Sequence, residues 1–102
     1  MQIASAVADN RATLSLNGRF DFHSHRDFRA AYESLLEQAG VREIEVNFRG
    51  VDYLDSSALG MLLLLREKAE STGKNVALSG CHGTVKQVLD IANFGKLFSV
   101  KG

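Results

Sequence analysis

Aspartate, serine and serine stand together at Asp55-Ser56-Ser57, directly before a run from Ala58 to Leu65 in which seven of eight residues are apolar. Three small hydrogen-bonding residues in that position open a helix. Its first backbone N–H groups lack intrahelical partners and its dipole turns a positive end outward, so the place welcomes an anion. The apolar run covers more than one helical face. One face must pack on the rest of the fold, and the remainder needs cover from another segment or another protein.

Other reactive residues give weaker patterns. His23 and His25 lie close to Asp21 and Asp27, but an H-x-H pair without further ligands at matching spacing does not define a zinc site, and no metal is expected. Cys81 and His82 are adjacent in sequence, which does not bring a thiolate and its base face to face; Cys81 reads as a small, partly buried residue at a strand end. Gly80-Cys81-His82-Gly83 is too short for a phosphate loop, and neither a Walker nor a dinucleotide fingerprint occurs. Neither catalysis nor a cofactor is expected.

The elements that must position these residues follow from periodicity. Ile3–Val7 and Thr13–Asn17 bracket Asp9-Asn10, a pair suited to a tight turn, and predict an antiparallel hairpin. Phe28, Tyr32, Leu35, Leu36 and Ala39 recur at helical spacing, with Ser24 as the expected cap and Gly40 as the expected left-handed terminator. From Glu43 the period becomes two, with Ile44, Val46 and Phe48 on one side of a strand. Arg49 to Leu54 reads as a connection and Ser56–Ser71 as a second helix closed by Thr72-Gly73. Val76–Leu78 is a short strand, and Thr84-x-x-Gln87 predicts a capping box for a third helix ending near Asn93. Leu97–Val100 is the last strand.

This order predicts an α/β fold: a mixed, mostly parallel sheet of about five strands begun by an antiparallel hairpin, with three main helices. In such sheets function gathers where segments leave the carboxyl ends of the parallel strands. Gly18 to Ser24, Arg49 to Ser57 and Gly80 to Gly83 are the segments concerned. Asp21, His23, Asp52, Asp55, Ser56, Ser57 and His82 are their polar residues.

Composition narrows the field further. With 102 residues, 45% hydrophobic and 24% charged, the chain suits one domain with one core. Twelve Lys and Arg balance twelve Asp and Glu, so no basic field draws it to nucleic acid. A lone cysteine, an N-terminus without a charged and long apolar leader, and no apolar stretch near the roughly 20 residues that cross a bilayer predict a cytoplasmic protein without membrane insertion.

The run Val51-Asp52-Tyr53-Leu54-Asp55-Ser56-Ser57-Ala58-Leu59-Gly60 resembles the Asp-Ser-Ser-Gly-Leu-Gly signature of STAS domains, most closely the anti-sigma factor antagonists. Gly18-Arg19-Phe20-Asp21 is similar to the family's Gly-x-Leu/Phe-Asp segment, and element order and length agree across nearly the whole chain, residues 1–102. The resemblance implies a binding module of a partner-switching pathway. Its partners would be a serine kinase or anti-sigma factor of the histidine-kinase-like ATPase type and a resetting PP2C-type phosphatase. It assigns the phosphoacceptor role to Ser56. Asp21, Asp55 and Ser57 are expected to support the site, and Met61, Leu64 and Leu65 to supply apolar contact to the partner. Three departures stand out, of which the first two are that Ala58 replaces the usual Gly, adding a methyl where a partner's backbone could approach, and that only Lys101-Gly102 follow the expected last strand, where many relatives carry another helix. A third departure is that Leu64 and Leu65 make the second helix greasier than a free-standing regulator requires, which suits a stable complex or self-association. Two rival readings remain, a constitutive STAS subunit of a sensory or transport complex, and a small nucleotide-binding protein or enzyme using Asp21, Ser56 and His82.

Overall fold

The computed structural model describes residues 1–101. β1 (Gln2–Ala8) and β2 (Arg11–Phe20) form the hairpin, with Asp9 in the turn at φ 57°. α1 (His25–Leu36), β3 (Glu43–Leu54), α2 (Ser56–Ser71), β4 (Asn75–Ser79), α3 (Gly83–Ile91) and β5 (Ser99–Lys101) follow. The sheet runs β1-β2-β3-β4-β5, antiparallel between the first two strands and parallel thereafter. The α/β architecture expected from the period changes is the one observed.

Alternation along the strands places Ala12, Leu14 and Leu16 of β2 and Ile44, Val46 and Phe48 of β3 in the core, where all three helices contribute to a single cluster. Phe20, Phe28 and Tyr32 are its aromatic centre, with ring centroids 4.9 Å apart for the first pair and 5.3 Å for the second. The opposite sheet face is polar. There Arg11 Nε lies 2.7 Å from Glu43, and Lys101 Nζ lies 3.4 Å from Glu43 and 3.6 Å from Glu45.

Four local expectations are corrected. Arg49 to Leu54 is not a connection but the second half of β3, paired with the end of β2 through two irregularities in register, between Ser15 and Asn17 and between Gly18 and Arg19. Those irregularities break the alternation after Phe48, so that Val51 and Leu54 are buried three apart. Gly50 permits the close pairing, because a Cβ there would run into the Asn17 amide and come within 2.9 Å of the Leu16 carbonyl oxygen. α1 ends at Leu36 on a right-handed Glu37, without using Gly40 as a left-handed terminator. Ser24 makes no capping bond to α1; its hydroxyl donates back to the Arg19 carbonyl at 3.2 Å. The Thr84–Gln87 box does not form either, since α3 opens one residue earlier behind His82, with no side-chain cap.

Candidate functional site: the serine at the head of α2

β3 delivers Asp55 and Ser56 to the carboxyl end of the parallel strands, and β2 delivers the turn beside them. Asp55 organises both. Its Oδ1 accepts from the Ala58 N–H at 3.0 Å and from the Ser57 hydroxyl at 2.8 Å, the arrangement of a helix cap. Its Oδ2 accepts from the Phe22 N–H at 3.3 Å, and its own N–H donates to the Phe20 carbonyl at 3.2 Å. One carboxylate therefore binds the start of α2 to the one-turn 3₁₀ helix Phe22–Ser24. Desolvation pushes the Asp55 carboxyl pKa up, but the Ser57 hydroxyl and the backbone N–H groups of Ala58, Phe22 and Ser57 together outweigh it, and the net direction is down. Asp55 is ionised at neutral pH.

Asp21 caps the neighbouring turn, accepting from the His23 N–H at 3.0 Å. It also faces the Arg19 Nε at 3.8 Å, and that guanidinium lies 4.1 Å above the exposed Tyr53 ring. Phe22, 66% exposed, adds an apolar group to the rim. On the other side the His82 Nε2 is 3.0 Å from the Arg49 carbonyl oxygen, which holds the start of α3 against β3.

Ser56 itself is exposed, as the first residue of α2. Ser57 is half-buried with its hydroxyl engaged by Asp55, so only one of the two serines offers a free hydroxyl face. Below Ser56, at helical spacing, lie Gly60, Leu63 and Leu64, all exposed. The leucines are 37% and 43% exposed, and a Cβ on Gly60 would meet nothing within 4 Å. Serine, a bare glycine patch and two leucines thus form one stripe.

The phase of this helix corrects two expected contact residues. Met61 and Leu65 are buried in the core with Ala58, Leu62 and Ala69, because those positions face the sheet. Leu64 alone of the three expected apolar contacts is available to a partner. Leu63, not among the expected contacts, stands beside it; a rotation of about 100° per residue separates outward from inward leucines, and an all-leucine run carries no signal to set that phase. The Ala58 methyl likewise points into the core and not toward a partner.

The alternative chemistry does not assemble. The Cys81 Sγ points to the Ser79 carbonyl at 3.9 Å while the His82 ring bonds to Arg49, so thiol and imidazole do not meet. Desolvation, with the Asp90 charge second, pushes the Cys81 thiol up and away from the reactive thiolate. The His23 Nδ1 lies 3.7 Å from Asp21, and among the described residues no three His, Cys, Asp or Glu side chains converge as metal ligands. Among them, too, no helix is long and apolar enough to cross a membrane.

Comparisons with known proteins agree with this fold. Residues 3–99 match the family model described as "Mlab, STAS domain". A STAS-domain containing protein of Pseudomonas aeruginosa (strain UCBPP-PA14) is 46% identical over 88 residues, covering 86% of this chain and 85% of the relative. In structure, an anti-sigma factor antagonist of Thermotoga maritima, described as putative, superposes with a TM-score of 0.86 at 18% identity over 96% of this chain and 84% of its own. The Bacillus cell fate determinant SpoIIAA in its phosphorylated form gives a TM-score of 0.75 at 22% identity, over 99% and 92%.

Proposed function

The chain belongs to the STAS family, and from that premise we propose that it is a phosphorylation-controlled binding module of the anti-sigma factor antagonist kind. Unphosphorylated, it binds a serine kinase or anti-sigma factor of the histidine-kinase-like ATPase type through the α2 stripe. That partner transfers a phosphoryl group from ATP to Ser56. The Ser56 Oγ bonds to the γ-phosphorus, the bond to ADP breaks, and the hydroxyl proton passes to a base on the kinase. A PP2C-type phosphatase reverses the modification by hydrolysis.

One observation carries the reading: an exposed serine hydroxyl opens the same helical stripe that exposes Gly60, Leu63 and Leu64. Asp55, Ser57 and Asp21 support the site by fixing the first turn of α2 and the adjoining rim. A phosphate on Ser56 adds nearly two negative charges at a helix N-terminus, which favours an anion by roughly 0.3–2 kcal/mol. Ionised Asp55 and exposed Asp52 oppose it, so the fold stays as it is. At a desolvated interface the same charge breaks contacts that typically cost about 2–5 kcal/mol to lose. Binding falls by roughly 30-fold to several thousand-fold while folding survives.

The test is capture from the native cell with wild type, Ser56→Ala and Ser56→Asp, together with phosphate mapping. The first two are expected to retain an ATPase of the histidine-kinase-like type and the third to release it, with phosphate found on Ser56 of the native protein. Equal capture by all three, with no phosphate on Ser56, would overturn the proposal and leave a constitutive subunit in its place.

A further inference from the structure

The two edges of the sheet are built differently. β5 carries Lys101, whose ammonium reaches Glu43 and Glu45; charged edges resist pairing with another strand. β1 has no such protection. Its seven residues, Gln-Ile-Ala-Ser-Ala-Val-Ala, include no charge, proline or glycine, and its register with β2 runs without a bulge from Gln2–Asn17 to Ala8–Arg11.

The two-residue loop Asp9-Asn10 makes Ala8 and Arg11 the closing hydrogen-bonded pair, and parity then continues along the hairpin. Gln2, Ala4, Ala6 and Ala8 turn their backbone groups toward β2. Ile3, Ser5 and Val7 aim theirs at the open edge. Their partners across the hairpin, Leu16, Leu14 and Ala12, are all buried on the helix side, so the side chains of Ile3, Ser5 and Val7 lie on that side too. Ile3 is packed against the core, but Val7 is 48% exposed. α1 does not close over this edge: a cleft lined by Met1, Ile3, Ser5, Asp27, Ala30 and Ala31 remains between them.

We propose that this edge is a homodimer interface in which β1 pairs antiparallel with β1 of a second copy, about a two-fold axis through Ser5. That register sets Ser5 opposite Ser5 and Ile3 opposite Val7 of the other copy. Every outward backbone group of both strands is then paired, in about six hydrogen bonds between the copies. Each exposed Val7 gains the other copy's Ile3 as a neighbour, carrying the apolar layer across the seam. The second copy is the occupant because the edge is complementary to itself, in parity and in the order of its apolar residues. Among the described residues the sheet's other edge is the guarded β5, so association stops at two. The interface uses neither α2 nor the phosphorylation of Ser56.

Sedimentation equilibrium of the full chain, up to roughly 1 mM for a weak association, is expected to give twice the 11.1 kDa of one chain. Val7→Lys puts a charge into the seam. Ser5→Pro removes an outward N–H while leaving the bonds to β2 intact. Each is expected to weaken the dimer at least about tenfold, by roughly 1.4 kcal/mol, and Leu64→Glu to leave it unchanged. Should Ser5→Pro lose its circular-dichroism signature of folding, Val7→Lys decides alone. A wild type that is monomeric throughout, a dimer that persists in folded Val7→Lys, or one abolished by Leu64→Glu would each overturn the proposal.

Discussion

α1 and α2 are neighbours on one core and expose opposite chemistry. They touch through Lys68 of α2, whose Nζ lies 2.9 Å from the Glu33 carboxylate of α1 and 5.7 Å from the Tyr32 ring centroid. Hydrogen bonds from Lys68 and Arg29 hold the Glu33 carboxyl below its ordinary pKa. α1 buries Phe28, Tyr32 and Leu35 along one stripe and turns His25, Arg26, Asp27 and Arg29 to water. α2 buries five residues and still turns Leu63 and Leu64 outward. α1 carries as much apolar surface as the fold requires. α2 carries more, and the excess lies on the stripe headed by Ser56.

The largest effect expected is on stability, from the inner side of α2. Leu65→Ala, at a fully buried position, should cost about 2–5 kcal/mol as read by the urea midpoint, whereas Leu64→Ala should stay within about 0.5 kcal/mol of wild type. Equal costs would erase the distinction between the two faces. Next comes binding: Leu63→Glu with Leu64→Glu should weaken kinase capture at least about tenfold without moving the urea midpoint, and Arg26→Glu with Arg29→Glu on α1 should leave capture as it was. Loss of capture by the α1 pair would mean that the docking surface has been placed on the wrong helix.

The smallest effect distinguishes how the helices begin. α2 has a side-chain cap and α1 has none, so Asp55→Ala should cost about 1 kcal/mol, while Ser24→Ala, as far as capping goes, should not shorten α1. Because the folded state lowers the Asp55 pKa, its contribution is complete above the ordinary carboxylate range and is lost as pH falls through the folded-state value. Acid titration of the urea midpoint checks the sign: Asp55→Asn should flatten the acid limb relative to wild type.

Much of the architecture was legible in the sequence because period and burial coincide there. Ile44, Val46 and Phe48 alternate as a strand with one buried face must, and Phe28, Tyr32 and Leu35 repeat as a helix with one buried stripe must. Legibility failed where tertiary contacts override local pattern. The second half of β3 lost its alternation to the bulged pairing with β2, and the expected caps at Ser24 and Thr84 were displaced by a bond back to Arg19 and by a helix that opens at Gly83. At the candidate site, the position of Ser56 at the head of α2 and the capping by Asp55 could be read from residue type and position. Which leucines face outward could not, since Leu62 to Leu65 differ in nothing but angle around the axis.

The two oxygens of Asp55 are divided between chain segments that are remote in sequence, Oδ2 on the Phe22 amide and Oδ1 on the head of α2. The rim and the serine-bearing turn are therefore yoked: the carboxylate joins them beside the backbone bond from Asp55 to Phe20, so a displacement of Phe22 is felt at the first coil of the helix.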